Sequence, residues 1–141
     1  MDELLQMGRA VLAAQPFSRF LGAELIVFRP GEAELALTIR PDLLQQHGFV
    51  HGGVIGYLTD NALTFAGGSV LGPAVVTSEY KINYLKPARE GRLVARAMVV
   101  APGARQAVCR CDVWIVTKEG EALCATAQGT IVLLSEPRPK S

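Results

Sequence analysis

HGFVHGGVIGYLTDNALTF, residues 47–65, contains a single formal charge, Asp60. Between Leu43 and Ser78 there is no Lys, no Arg, no Glu and no second Asp. From Val54 to about Ser69 the stretch has the length and the Ala and Leu content of a helix. Gly52-Gly53 precede it and Gly67-Gly68 are expected to end it. A helix this poor in charge has to be covered, and a curled antiparallel sheet is the economical cover. At ~100° per residue, Val54, Ile55, Leu58, Ala62, Phe65 and Ala66 fall on one broad side, the side expected to meet that sheet. Gly53, Gly56, Asp60, Thr64 and Gly67 fall opposite, away from it. A face without side chains lets another backbone or a ligand come close. Solvated helix faces carry several charges and few glycines, so Asp60 fits that role poorly. Two readings remain: a buried structural carboxylate at a subunit interface, or a general base or nucleophile in a weakly polar cleft.

On either side of this helix the pattern changes period. Residues 22–40 read as two strands joined at Arg29-Pro30-Gly31-Glu32. In the second, Leu35, Leu37 and Ile39 alternate with Glu34, Ala36, Thr38 and Arg40, one face buried and one wet. After the helix, Val75–Leu85, Gly91–Val100, Gln106–Thr117 and Glu121–Leu134 read as strands joined by short turns, which implies an antiparallel meander. The expected organisation is an N-terminal helix over 1–17, one α+β domain over 18–134 and a flexible tail over 135–141.

The chain has 141 residues, 50% of them hydrophobic, which suits one domain with a real core. A net charge of +1 makes no case for nucleic acid or an anionic membrane surface. The N-terminal stretch carries Asp2 and Glu3 and lacks the basic start and long apolar block of a secretory signal. The uncharged central run is interrupted by glycines and by Pro73, Asp60 and Asn61, so a membrane span is not expected. Cys109, Cys111 and Cys124 read as small buried hydrophobes in a reducing compartment, which places the protein in the cytoplasm. With only two histidines, His47 and His51, no metal site is expected. No Ser lies in a Gly-x-Ser-x-Gly context and no P-loop is present, and no cofactor is implied.

His51-Gly52-Gly53, Asp60 nine positions after the His, and the later EYKINYLKPA at 79–88 together resemble the hotdog-fold thioesterases. The resemblance is to the phenylacetyl-CoA and hydroxybenzoyl-CoA thioesterase-like family and covers about residues 18–134. It implies a hotdog fold, hydrolysis of an acyl-CoA thioester, and a homodimer that is often doubled to a tetramer. It also implies roles at matching positions. Asp60 would be general base or nucleophile, and the Gly52 backbone N–H would polarise the thioester carbonyl. Gln45 would contact carbonyl or water, Thr64 follows one turn after the acid, and Thr77 or Ser78 begins the next strand. His51 and Gly53 complete the motif, and Asn61 adjoins the acid. Where the family often has a basic residue directly after the glycine of the 102–106 turn, Ala104 intervenes before Arg105.

Elementary physics supports part of this independently. A helix N-terminus offers unpaired N–H groups and a positive dipole end, the makings of an oxyanion hole. Gly52 and Asp60 are eight residues apart, ~12 Å along a helix at ~1.5 Å per residue. An Asp side chain cannot close that gap onto one carbonyl. If both act on one atom they come from different subunits, which predicts a C2 dimer with two shared sites between antiparallel helices. Phe49, Val50, Tyr57 and Leu58 suggest an apolar acyl pocket. Lys86, Arg89, Arg92 and Arg105 are candidates for the coenzyme phosphates, though most such residues are simply solvated. The alternatives are a non-catalytic acyl-CoA-binding or regulatory protein, and a hotdog hydratase or dehydratase. One hydratase type has a His five positions after the acid, where this chain has Phe65.

Overall fold

A computed structural model describes residues 2–134; the tail expected over 135–141 lies outside the described residues. Helix α1 (Glu3–Ala13) starts at Asp2, whose side chain accepts the Leu5 N–H at 3.0 Å. Helix α2 (Pro16–Leu21) follows after a short break and is stopped by Gly22. Strands β1 (Glu24–Arg29) and β2 (Glu32–Thr38) form the first hairpin. A 3₁₀ turn at Pro41–Leu43 and a loop lead to the long helix α3 (Gly52–Leu71). Strands β3 (Val75–Tyr84), β4 (Arg92–Ala101), β5 (Gln106–Thr117) and β6 (Gly120–Leu133) complete the fold.

The six strands form one sheet in the order β1-β2-β4-β5-β6-β3, with every neighbouring pair antiparallel. Helix α3 packs against all six. This is the hotdog arrangement, a sheet wrapped around one helix. The expected meander holds for β4, β5 and β6 only. β3 does not join it through a short turn; it lies at the far edge beside β6, while β4 pairs with β2. The connection from Leu85 to Gly91 therefore crosses between distant positions in the sheet, which turn chemistry alone does not reveal.

The core is built by the period-2 faces of the strands closing on one side of α3. Leu35, Leu37, Leu93, Val113 and Ile131 are buried from the sheet, and Leu58, Ala62, Leu63 and Ala66 from the helix. Cys109, Cys111 and Cys124 are free and buried among them. Burial pushes the Cys109 thiol up to about 11 and raises the other two, so all three remain unreactive thiols. On the outer face Arg96 bridges Glu34 (2.7 Å) and Glu121 (2.8 Å), tying β2, β4 and β6 together.

Helix α3 is longer at both ends than composition suggests. It begins at Gly52 because His51 supplies the cap, its Nδ1 accepting the Gly53 N–H at 2.8 Å. It runs through Gly67-Gly68 and stops only at Gly72, whose φ of 107° leaves the helical region, just before Pro73. Gly67 is needed for packing: a Cβ there would lie 2.6 Å from Ile131 Cβ on β6. Among the described residues no helix is long and apolar enough to cross a membrane.

Candidate active site

The N-terminus of α3 is held by the loop before it. His51 N–H donates to Leu43 O (2.8 Å), and Val50 N–H to Ala88 O (2.8 Å). Gln45 closes the loop on itself, its backbone N–H donating to Phe49 O (2.7 Å) and its side-chain oxygen accepting the His47 N–H. The cap consumes the Gly53 N–H, and His51 O takes the Val54 N–H at 2.9 Å. The Gly52 N–H has no partner among the described residues. One donor of the first turn is thus left pointing out of the helix, at its positive end.

Two turns on, Asp60 is half-buried and meets the edge strand. Thr77 Oγ1 donates to Asp60 Oδ1 at 2.5 Å. Thr64 Oγ1 lies 2.8 Å from Asp60 O and 2.9 Å from Thr77 Oγ1. Two hydroxyl protons serve these three contacts. The proton of Thr77 goes to the carboxylate, the strongest acceptor, and Thr64 donates to the peptide oxygen or to Thr77. Oδ2 has no partner among the described residues. Strand β3 carries a bulge between Thr77 and Glu79, which is why Thr77 faces the helix and Ser78 is exposed.

Further along β3 two phenols cover the helix. Tyr80 Oη reaches Gly56 O at 3.4 Å, and Tyr84 Oη donates to Gly52 O at 3.1 Å. Burial, then the Asp60 carboxylate and Tyr84, raise the Tyr80 phenol above its ordinary value, so it stays a protonated donor.

Asn61, the next residue, belongs to a different network. Its amide donates to Gln15 Oε1 (3.0 Å) and Tyr57 Oη (3.1 Å) and lies 3.4 Å from Ser18 Oγ. Tyr57 Oη in turn donates to Ser18 Oγ (2.6 Å), and Ser18 Oγ to Gln15 Oε1 (2.6 Å). These bonds pin the junction of α1 and α2 onto α3. Between that junction and α3 lies an open cleft of ≈ 460 Å³, lined by Phe17, Tyr57, Asp60 and Thr64 among others.

A sheet-wrapped helix with a lone carboxylate and a free N-terminal N–H can be compared with known proteins. The family described as the thioesterase superfamily matches residues 47–125, more than half of the chain. The chain belongs to the thioesterase superfamily. It is 30% identical over 115 residues to the acyl-coenzyme A thioesterase PaaI of Escherichia coli, covering 81% of this chain and 80% of that one. The solved structure of PaaI matches with a TM-score of 0.81 and 26% identity, over 92% of both chains. A thioesterase family protein from Silicibacter pomeroyi matches with a TM-score of 0.86 and 34% identity, over 92% of this chain and 96% of that one. Membership gives the protein thioester hydrolysis as its general chemistry.

In this thioesterase the structure places Asp60, Thr64 and Thr77 in one cluster. Gly52, Gly53 and His51 form a second, at the helix N-terminus. Gln45 stays within its own loop, and Asn61 binds the N-terminal helices. The glycine stripe does not lie away from the sheet. It faces β3 and β6: a Cβ on Gly56 would sit 3.4 Å from Tyr80 Oη on β3, and Gly67 abuts Ile131 on β6. The expected acyl lining also changes. Val50 and Leu58 are core residues, and Phe49 stacks under Arg89, with the guanidinium carbon 4.1 Å from the ring centroid. Only Tyr57 of that set lines the Asp60 cleft. Arg92 is paired with Glu24 at 3.3 Å. Phe65 packs edge-to-face on Phe28, their centroids 5.4 Å apart.

Sequence reasoning missed Tyr80 and Tyr84, although their i, i+4 spacing puts both on one face of a strand. It also missed Gln15 and Ser18, for which no local signal exists. Among the described residues no cluster of three or more His, Cys, Asp or Glu could hold a metal.

Proposed function

We propose that the protein hydrolyses an acyl-CoA thioester to the free acid and coenzyme A in a site shared by two subunits. Asp60 of one subunit activates water as general base or attacks the carbonyl itself. The Gly52 N–H of the other holds the oxyanion. The observation that carries this reading is the state of Asp60: one carboxylate oxygen is fixed by Thr77 at 2.5 Å, and the other is uncommitted beside a cleft. A base needs that combination of fixed orientation and a free lone pair. The unpartnered Gly52 N–H at a helix N-terminus supports the oxyanion role. Gln45, His51 and Gly53 shape the approach to that donor, and Thr64 and Thr77 orient the acid.

The two-subunit arrangement is supported by the ~12 Å between Gly52 and Asp60 along one helix. It is also supported by β3, a ten-residue edge strand paired on one side only. Exposed Val76, Tyr84 and Leu85 lie on it or directly after it. A long edge strand with one side unpaired is a template for pairing with another chain, and a two-fold axis beside β3 would bring the two α3 helices together antiparallel. Asp60→Ala is expected to remain folded and dimeric by size-exclusion and circular dichroism, and to lose thiol release from acyl-CoA by ~10²-fold or more. Unchanged turnover in that variant sinks the proposal.

A further inference from the structure

Beside the cleft at Asp60 lies a second cavity of ≈ 340 Å³ between α1 and the C-terminal half of α3. Gln15, Asn61 and Thr64 line both spaces, so the two adjoin next to the carboxylate, with the Asn61–Gln15 hydrogen bond between them. None of the residues lining the second cavity is charged. Its polar side chains cluster at the end shared with Asp60, apart from Ser69. That hydroxyl already donates to Ala66 O (2.6 Å) and accepts the Gly31 N–H (2.8 Å). Beyond Thr64 the walls are Leu4, Met7 and Val11 from α1, Phe28 from β1, and Phe65 and Gly68 from α3. The space follows α3 from Thr64 towards Gly72, about 12 Å of helix at ~1.5 Å per residue.

We propose that this cavity receives the acyl chain of the substrate, a straight alkyl chain of medium length. The thioester carbonyl sits at Asp60 and the tail lies between α1 and α3. The proposal rests on the acyl-CoA reading of Asp60. The chemistry of the walls sets the occupant. Beyond Thr64 a ligand meets no charge and no polar side chain but Ser69, whose hydroxyl is already engaged, so that part of it is apolar. Its polar end has to lie at Gln15, Asn61 and Thr64, which is the end next to Asp60. Its shape is elongated, because the cavity tracks one helix for two turns. An acetyl group would leave the apolar part unfilled. The volume lies at the small end of ligand pockets, ~300–1,000 Å³, which suits an acyl tail and not the charged coenzyme. On this account α1 is a specificity element, because it supplies one wall and its neighbours Gln15 and Ser18 lock it to Asn61.

The test titrates the ethyl, hexyl and decyl thioethers of coenzyme A, which cannot be hydrolysed, into the full-length protein by calorimetry. Affinity is expected to rise by roughly fourfold per added methylene between ethyl and hexyl, the value for burying a CH₂ in an apolar space. Val11→Trp, placed on the outer wall where Val11 is 49% exposed, fills the cavity. It is expected to weaken hexyl and decyl binding by about tenfold or more while leaving the ethyl thioether unchanged. Met7→Trp, one turn away on α1, carries the same expectation should Val11→Trp fail to fold. An affinity independent of chain length, or an equal loss for all three thioethers in the variant, overturns the proposal. Thiol release from hexanoyl-CoA by Asp60→Ala separates the two readings. A dead variant with a flat thioether series removes the cavity and keeps the catalytic acid. A fully active variant with chain-length-dependent binding removes the acid and keeps the cavity.

Discussion

Asp60 and Asn61 are consecutive residues of α3, and they use their polar atoms in opposite ways. The Asn61 amide is surrounded by acceptors from Gln15, Ser18 and Tyr57, and the Tyr57 and Ser18 hydroxyls donate within the same group. Asp60 is held at one oxygen by Thr77 and left open at the other, facing a cleft. A network of mutual hydrogen bonds rigidifies its surroundings; a carboxylate held at one oxygen keeps a lone pair for something else. The helix thus anchors the N-terminal helices through one residue and presents an acid through the next. Rigidity next to the acid has a use, since a positioned base works only if its support does not move.

The comparison breaks most visibly at the acid. The loss of turnover expected for Asp60→Ala comes with little change in stability, whereas a mainly structural carboxylate would give the reverse. Thr77→Val is next. It removes the hydroxyl that orients Asp60 while keeping the shape of the side chain. A hydrogen bond to a charged group contributes ~1.5–3 kcal/mol, so kcat/KM for acyl-CoA is expected to fall by about tenfold to a hundredfold. A fall confined to KM would mean that Thr77 binds substrate and does not orient the acid. Asn61→Leu belongs to the other side. Urea denaturation is expected to show a loss of about 1–3 kcal/mol as Gln15, Ser18 and Tyr57 lose a shared donor. Per folded molecule, thiol release from acyl-CoA is expected to stay within a few-fold of the unsubstituted protein. A variant that keeps its stability but loses turnover would move Asn61 into the reacting group.

Much of this was legible in the chain. The buried side of α3 followed from the spacing of Val54, Ile55, Leu58, Ala62, Phe65 and Ala66, because helical period is a local signal. The β1–β2 hairpin followed from Pro30-Gly31, and Asp60 stood out as the lone charge of its stretch. What stayed hidden depends on distant pairing. Placing β3 beside β6 requires knowing that Val75 meets Leu133, and so the glycine stripe was expected to be open when Tyr80 and Tyr84 in fact cover it. Sequence does not choose between Thr77 and Ser78, because a bulge decides which of them turns inward. Ser18 and Asn61 are 43 residues apart, and Gln15 and Asn61 are 46 apart. No periodicity links them. Composition starts α3 at Val54, two residues late, because the capping role of His51 is a side-chain contact, not a propensity.

The residue before the pair extends the comparison with the smallest expected effect, and with the opposite sign. Thr59 is fully buried, and its hydroxyl has no partner among the described residues. It therefore bears the desolvation of a hydroxyl without a compensating bond. Valine has nearly the same shape and a similar helix propensity, so Thr59→Val changes little except the polar atom. Replacing an unsatisfied hydroxyl by a methyl group is expected to stabilise the fold by about 1 kcal/mol, read as a higher urea midpoint with an unchanged slope. Turnover should not change, because Thr59 points into the core and Asp60 to the cleft. A lower midpoint would mean that the Thr59 hydroxyl is satisfied by a buried water, which valine would strand. In that case α3 would carry three consecutive polar residues each with its own partner, and the open oxygen of Asp60 would be the exception in that turn.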